Sequence, residues 1–425
     1  MRIAIIAPGS RGDVEPYLAL GQGLTKAGHL VRLLSHSDFE ALVRAHGVEF
    51  WPIGGSVQDV LQTTDLRQTI EGGNFVKILS QMANEAQRGA MDLARDGLAG
   101  CRGMDLLVAG LGGIFGIALA EKLGIPLLQA YYIPFTPTGA YPSFIFSALP
   151  SWLGSGPNLW SYHIARQLMW QPFRTADARA RQEVLGLPPA PSWGPFDSEA
   201  LRGYPILYAY SPSVIPPPPD WDDAIHVTGY WFLGPAEEWE PPAALVEFLQ
   251  SGPPPVYVGF GSMSNRNPEA TANLIVEALG QAQQRGVLLS GWSGLRTAEL
   301  PDSVLMVDSV PFSWLFPRVA AVVHHGGAGT TAAGLRAGVP SLVVPFFGDQ
   351  PFWGRRVREL EVGPAPVPRR RLTVDRLAAA IHEAVTDQDM RRRASELGSK
   401  IQAEDGVARA VAIIEQSPGI RDGVT

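Results

Sequence analysis

The sequence predicts an α/β protein made of two doubly wound halves facing across a cleft, and three observations predict it. Short apolar runs alternate with helix-period segments, the pattern of a parallel sheet wrapped by helices. At 425 residues the chain exceeds one ordinary core, so two domains are expected. Regular patterning fails between Ser211 and Pro242, where "SPSVIPPPPDWDD" and "GPAEEWEPP" carry prolines too densely for regular helix or sheet. The expected division is residues 1–215, a proline-rich linker at 216–242, and residues 243–425.

In chain order, "RIAIIAP" is the first strand. Pro16 then sits where a first helical turn tolerates it, Tyr17, Leu20, Leu24 and Ala27 recur at helical spacing, and Gly28 can end the helix. "HLVRLLS" is the second strand, and "DLLVAG", the helical "GIFGIALAEKLG" and "IPLLQAYY" repeat the scheme as far as Tyr132. The second half opens on "PPVYVGFGS" and continues with "GVLLSGW", "AAVVHH" and "PSLVVPFFG" as strands. After Leu372 the chain is largely helical, ending in "DGVARAVAIIEQ", where Asp405 can cap and Val407, Val411 and Ile414 form an apolar stripe.

Hydrophobic residues at 46% with 18% charged describe an ordinary globular protein. A formal net charge of −7 gives no electrostatic footprint for nucleic acid or for an anionic membrane, local clusters such as Arg369 to Arg371 being the exceptions. The single cysteine, Cys101, excludes an intramolecular disulfide and any cysteine-rich metal site, which fits a reducing cytoplasm. "IAIIA" is too short for the apolar core of a signal peptide, and no apolar run is long enough to span a bilayer. The expectation is a cytoplasmic protein without stable membrane insertion, open to peripheral contact.

The stretch Ala321 to Gly334, "AVVHHGGAGTTAAG", reads as a buried strand, a glycine turn and a helix start. Glycines let backbone N–H groups approach a ligand, Thr330 and Thr331 offer hydroxyls, and the helix start favours negative charge, so a phosphate is the expected ligand. Other motifs fail. "APGSRGD" lacks the G-x-G-x-x-G spacing, no glycine-rich loop ends in Gly-Lys-Ser/Thr, and "GFGSM" is not a nucleophile elbow. Adjacent His324 and His325 point apart and make a poor chelate, so no metal site is expected.

Val322 to Val357, "VVHHGGAGTTAAGLRAGVPSLVVPFFGDQPFWGRRV", resembles the nucleotide-sugar signature of family 1 glycosyltransferases, whose two-Rossmann-domain fold is called GT-B. "GSRGDVEP", "IPFTPTGAYP", "GYWFL" and "PPVYVGFGSM" extend the likeness over nearly the whole chain, which is most similar to the sterol glucosyltransferase branch and also to bacterial antibiotic glycosyltransferases. The resemblance implies an N-terminal acceptor domain and a C-terminal domain for a nucleotide sugar. It implies inverting, metal-independent transfer of a hexose, glucose from UDP-glucose in the sterol branch, to a large apolar hydroxylated acceptor, giving a β-glycoside. No cofactor is implied beyond that co-substrate.

Negative charge grows on a departing diphosphate, and the groups expected to meet it are the N–H groups of Gly327, Ala328 and Gly329, the Thr330 hydroxyl and a nitrogen of His325, the family's diphosphate-contacting histidine. His324 is read as structural. By similarity Ser262 also touches the phosphates, Trp292 stacks on the nucleobase unless it is a core tryptophan, and the Val310 main chain bonds the base. Asp349 and Gln350 match the hexose-binding pair, with helix capping the competing role for Asp349. Asp13 matches the catalytic aspartate of the antibiotic enzymes and could alternatively cap the first helix; His36 is the lesser candidate base.

Ser10 and Gly12 share the Asp13 turn and are expected to touch the acceptor. The acceptor pocket is sought in the loop-like stretch from Tyr131 to Phe173, with Phe135, Tyr141, Phe144 and Phe146, and further aromatics at Trp152, Trp160 and Trp170; a membrane-contacting flap and plain packing under a long loop are the competing readings of these aromatics. The competing readings are a natural-product glycosyltransferase using UDP- or TDP-sugars, a UDP-sugar epimerase of the same fold, and a nucleotide-sugar sensor.

Overall fold

Every side chain of strand β1 (Arg2–Ile6) from Ile3 onward is fully buried, because the strand lies inside a parallel sheet with apolar cover on both faces. The pleat separates them: Ile3 and Ile5 join the cluster of Val14, Leu18 and Leu24, whereas Ala4 and Ile6 join that of Ile117 and Leu119. The structure, a computed structural model, describes residues 1–54, 75–234, 239–261, 267–290 and 300–417.

From β1 the first unit runs through α1 (Arg11–Lys26), β2 (Leu30–Ser35), α2 (Glu40–Ala45), β3 (Glu49–Pro52), α3 (Phe75–Cys101), β4 (Leu106–Ala109), α4 (Gly116–Leu123) and β5 (Leu127–Tyr131). It continues with α5 (Ser155–Trp170), α6 (Arg174–Ala180), β6 (Ile206–Tyr208) and β7 (Ile225–Val227). The sheet order is β3-β2-β1-β4-β5-β6-β7, and every pair is parallel. Connections therefore diverge between β1 and β4, the switch point where the carboxyl ends of such sheets hold ligands.

The second unit repeats the plan. It comprises α7 (Ala243–Gln250), β8 (Val256–Gly259), α8 (Pro268–Gln281), β9 (Gly286–Leu289), β10 (Val304–Val307), α9 (Phe312–Leu315), β11 (Ala321–His324), α10 (Ala328–Ala337), β12 (Ser341–Val343), α11 (Gln350–Glu359), α12 (Val374–Thr386) and α13 (Gln388–Gln402). The parallel order β10-β9-β8-β11-β12 puts its switch point between β8 and β11.

The division differs from the expected one in two places. The proline-rich stretch contains β7, a three-residue edge strand pairing Ile225 with Ile206, too short to register as a pattern. The first unit also reclaims the chain from Glu404 onward, so residues beyond 243 do not all belong to the second. There α14 (Gly406–Gln416), capped by Asp405, whose carboxylate accepts the Ala408 N–H at 2.9 Å, buries Val411 and Ile414 against α1. Gly23 permits that packing, since a Cβ there would overlap Val407.

Pro16 also lies deeper than expected. Helix α1 begins at Arg11, so the proline is its sixth residue and the Gly12 carbonyl has no N–H four residues on. Cys101 is fully buried and its thiol is pushed up to about 12, which makes it inert. No described helix is long and apolar enough to cross a membrane.

Tyr17 of α1 reaches across the sheet end and donates to the Ala130 carbonyl at 2.7 Å, in space left by Gly110. A Cβ at Gly110 would overlap that hydroxyl and stand 2.6 Å from the same carbonyl. Gly110→Ala should therefore cost about 2 kcal/mol or more by overpacking and by loss of the buried bond, measured by urea unfolding.

Candidate functional site

In the second unit the switch point is assembled from residues without side chains. β8 leads into Gly261 with φ +59, and β11 leads through His324 and His325 to Gly326 with φ +91. A Cβ at Gly261 would stand 2.9 Å from the His325 Cε1, and one at Gly327 would stand 2.5 Å from its Nε2. The imidazole is thus held between two glycines, which explains why glycines follow the histidine pair. Burial pushes the His325 pKa down to about 4, so at neutral pH the ring offers a hydrogen bond and no charge. His324 is fully buried and its Nδ1 accepts the Gly326 N–H at 3.1 Å, a structural role as expected. The two rings lie 90° apart with centroids 6.5 Å from each other, which is no chelate.

Helix α10 starts beside His325 with no side-chain cap on Gly327, so the N–H groups of Ala328, Gly329 and Thr330 have no helical partner. Thr330 is partly exposed. Thr331 is not available as expected, because its hydroxyl is buried and donates to the Gly327 carbonyl at 2.9 Å. What results is an array of donors with a favourable helix dipole, suited to an anion.

Asp349 and Gln350 follow β12 and play different parts. Gln350 is buried, and its Oε1 accepts the N–H groups of Phe346 at 2.8 Å and Phe347 at 3.2 Å, so that oxygen shapes the loop. Asp349 stands at the N-cap of α11 without capping it; its Oδ2 accepts the Trp353 indole N–H at 2.9 Å. The side chain of Val310 fills the core with Leu315 and Phe316, leaving only its main chain for a base. Ser262 and Trp292 lie outside the described residues. Among the described residues no three His, Cys, Asp or Glu side chains gather into a set that could hold a metal ion.

In the first unit the loop after β1 presents Asp13. It is the third residue of α1, and its Oδ2 accepts the Ser10 N–H at 2.7 Å and the Ser10 hydroxyl at 2.8 Å. Its Oδ1 accepts the Tyr132 phenol. Gly9, at φ +127, makes this possible, since a Cβ there would stand 2.6 Å from Oδ2. Asp13 thus does help cap the helix while its carboxylate is aimed and held from two elements. The sequence reading missed Tyr132; its signal was the second tyrosine ending "LLQAYY", one strand away from the switch point. Gly12 is exposed in the first turn, and His36 begins a 3-10 turn after β2.

Two models match the chain: "Glycosyltransferase family 28 N-terminal domain" over residues 3–142 and "Erythromycin biosynthesis protein CIII-like, C-terminal domain" over residues 274–416. The fold is GT-B. Sterol 3-beta-glucosyltransferases of Cryptococcus neoformans var. neoformans and Neosartorya fischeri are 37% and 38% identical over 97% of this chain. It spans only 27% and 29% of the length of those two relatives. Among solved structures, the glycosyltransferase VinC in complex with DTDP superposes with TM-score 0.67 at 20% identity, over 99% of this chain and all of that one. The kitacinnamycin glycosyltransferase superposes with TM-score 0.66 at 23% identity, over 98% of each chain.

The region expected to receive the acceptor is not loop-like throughout. Ser155 to Trp170 form α5, whose helical phase the aromatic density had hidden. Phe135 and Phe144 are buried, while Tyr141 and Phe146 are half-buried. Phe135 packs on Tyr131 at 5.3 Å and Phe196 at 6.2 Å between centroids, and the Tyr208 hydroxyl accepts the Phe135 and Thr136 N–H groups. Trp170 is core, whereas Trp152 and Trp160 are 81% and 68% exposed.

Both histidines resist protonation because burial removes hydration from the charged form, down to about 3 for His324. The unfolded chain takes up protons at an ordinary 6.5. Stability is therefore complete above about pH 6.5 and falls as pH drops toward 4, by an amount on the order of a few kcal/mol for His324. In urea titrations across that window, His324→Asn, whose amide oxygen can still accept the Gly326 N–H, should lose less stability than the wild type.

Proposed function

We propose that the protein transfers a hexose from a nucleoside diphosphate sugar to a hydroxyl of a large apolar acceptor, sterol or steroid-like. The observation that carries this reading is the uncapped start of α10 beside the glycine-clamped His325. As the anomeric C–O bond breaks, its electrons go to the diphosphate, and the N–H groups of Gly327, Ala328 and Gly329, the Thr330 hydroxyl and His325 receive that charge. These are neutral donors, so the step is proposed to need no divalent ion. Asp349 is assigned to sugar hydroxyls, with Gln350 keeping the loop behind it in shape. Ser262, Trp292 and the Val310 main chain complete the donor site.

Asp13 is assigned as general base. The acceptor oxygen attacks the anomeric carbon as its proton passes to the carboxylate, so one C–O bond forms while another breaks and the configuration inverts. A carboxylate suffices if the proton moves late, when attack has already acidified the hydroxyl. Ser10 and Tyr132 keep the carboxylate aimed. Phe135, Tyr141, Phe144 and Phe146 are assigned to the acceptor, with Gly12 exposed in the Asp13 turn. Glucose is assigned from the named activity of the sterol relatives, and UDP as its carrier from the resemblance to the sterol branch. A second reading, a natural-product acceptor with a TDP-sugar, is favoured by the erythromycin-type C-terminal model and the DTDP complex of VinC.

A matrix of UDP- and TDP-sugars against sterols and polyketides, read by mass spectrometry, separates the two. With the best pair, Asp13→Asn should lower turnover at least about a hundredfold with donor binding retained, and His325→Ala should weaken both. Activity should persist in EDTA. Normal turnover by Asp13→Asn would remove the base, and strict metal dependence would contradict the donor site.

A further inference from the structure

Large apolar side chains are exposed at few described positions, and five of them, Trp152, Leu159, Trp160, Ile164 and Trp193, belong to α5 and its immediate surroundings. Trp160 and Ile164 stand one turn apart on α5. On the next turns Gln167 donates to the Trp193 carbonyl at 2.8 Å and Gln171 to that of Ser192 at 2.7 Å, while the Trp170 indole donates to Ser192 at 3.2 Å. These three bonds strap the Trp193 loop to the helix, and its indole is exposed there. Folding gains nothing from three indoles left in water, and a patch of this kind marks an interaction surface.

Charge selects the partner. From Lys122 to Ala176 the sequence holds no aspartate or glutamate, where the chain's average of 41 acidic residues in 425 would place about five. The basic side chains of that stretch on and just after α5 are exposed His163 and Arg174, and half-buried Arg166, whose guanidinium lies over Phe135 and Phe196. Indoles also settle where apolar chains meet water, since the ring is apolar and its N–H is not. We propose that this face docks on the surface of an anionic lipid bilayer, with Trp160, Ile164 and Trp193 entering the interface.

The face adjoins the aromatic loop. Ser143, beside Phe144, donates through its N–H to the Ser161 hydroxyl at 2.8 Å and through its own hydroxyl to the Ser161 carbonyl at 3.2 Å, tying the loop to α5. Docking would therefore bring that loop to the phase in which an apolar acceptor dissolves. This link rests on the proposed function; the docking itself does not.

The test uses purified full-length chain without substrates, so its outcome is separate from that of the transfer assay. The protein should sediment with vesicles of phosphatidylcholine and phosphatidylserine, less so as salt rises, and brominated acyl chains should quench its tryptophan emission. Ile164→Glu, and separately Trp160→Ser combined with Trp193→Ser, should weaken partitioning at least about tenfold with unfolding midpoints unchanged. No sedimentation, unchanged partitioning by both variants, or a dimer that the variants dissociate and that leaves vesicles unbound would each overturn the proposal.

Discussion

His325 fits against the strand ends of the second unit because the residues facing its ring, Gly261 and Gly327, carry no Cβ, and the start of α10 stands where it does because Gly326 turns the chain with a positive φ. The geometry of the anion cradle depends on that absence of side chains. Donors in water would be worth little, but amides and an imidazole set in place before a ligand arrives need no reorganisation as charge develops. The low pKa of His325 belongs to the same design: a neutral ring can be buried where an imidazolium could not.

The first unit applies the same constraint to a different group. Gly9 gives Asp13 the room to fold back on Ser10, and Gly110 gives Tyr17 the room to reach Ala130, so the turn after β1 is supported from the helix below and from β5 beside it. Asp13 does more than cap its helix. Its bonds to Ser10 complete the helix start, and its bond to Tyr132 directs the other oxygen. A carboxylate held by three donors keeps its orientation without lysine or arginine, which suits the base proposed for it.

Burial sorted residues that the sequence had grouped together. Thr330 and Thr331 are adjacent, yet one stands at the helix start and the other bonds back to Gly327. Asp349 and Gln350 are adjacent, yet the amide oxygen serves two loop N–H groups. The aromatic stretch divides likewise into buried Phe135 and Trp170 and exposed Trp152 and Trp160. In each case residue type was legible and direction was not, because neighbours in sequence diverge by about 100° on a helix and oppose each other on a strand.

By itself the sequence determined the parallel α/β plan, the strands of both halves that carry long apolar runs, the turn from His325 to Thr330 and the placing of Asp13 after the first strand. Local chemistry suffices for these, since apolar period, glycine turns and helix starts are written in contiguous residues. Only the tertiary structure decided that Tyr132 reaches Asp13, that β7 joins the sheet edge, and that the last helix packs in the first unit against α1. Those contacts join residues distant in sequence, and an apolar stripe such as Val407, Val411 and Ile414 states that it must be covered without stating by what.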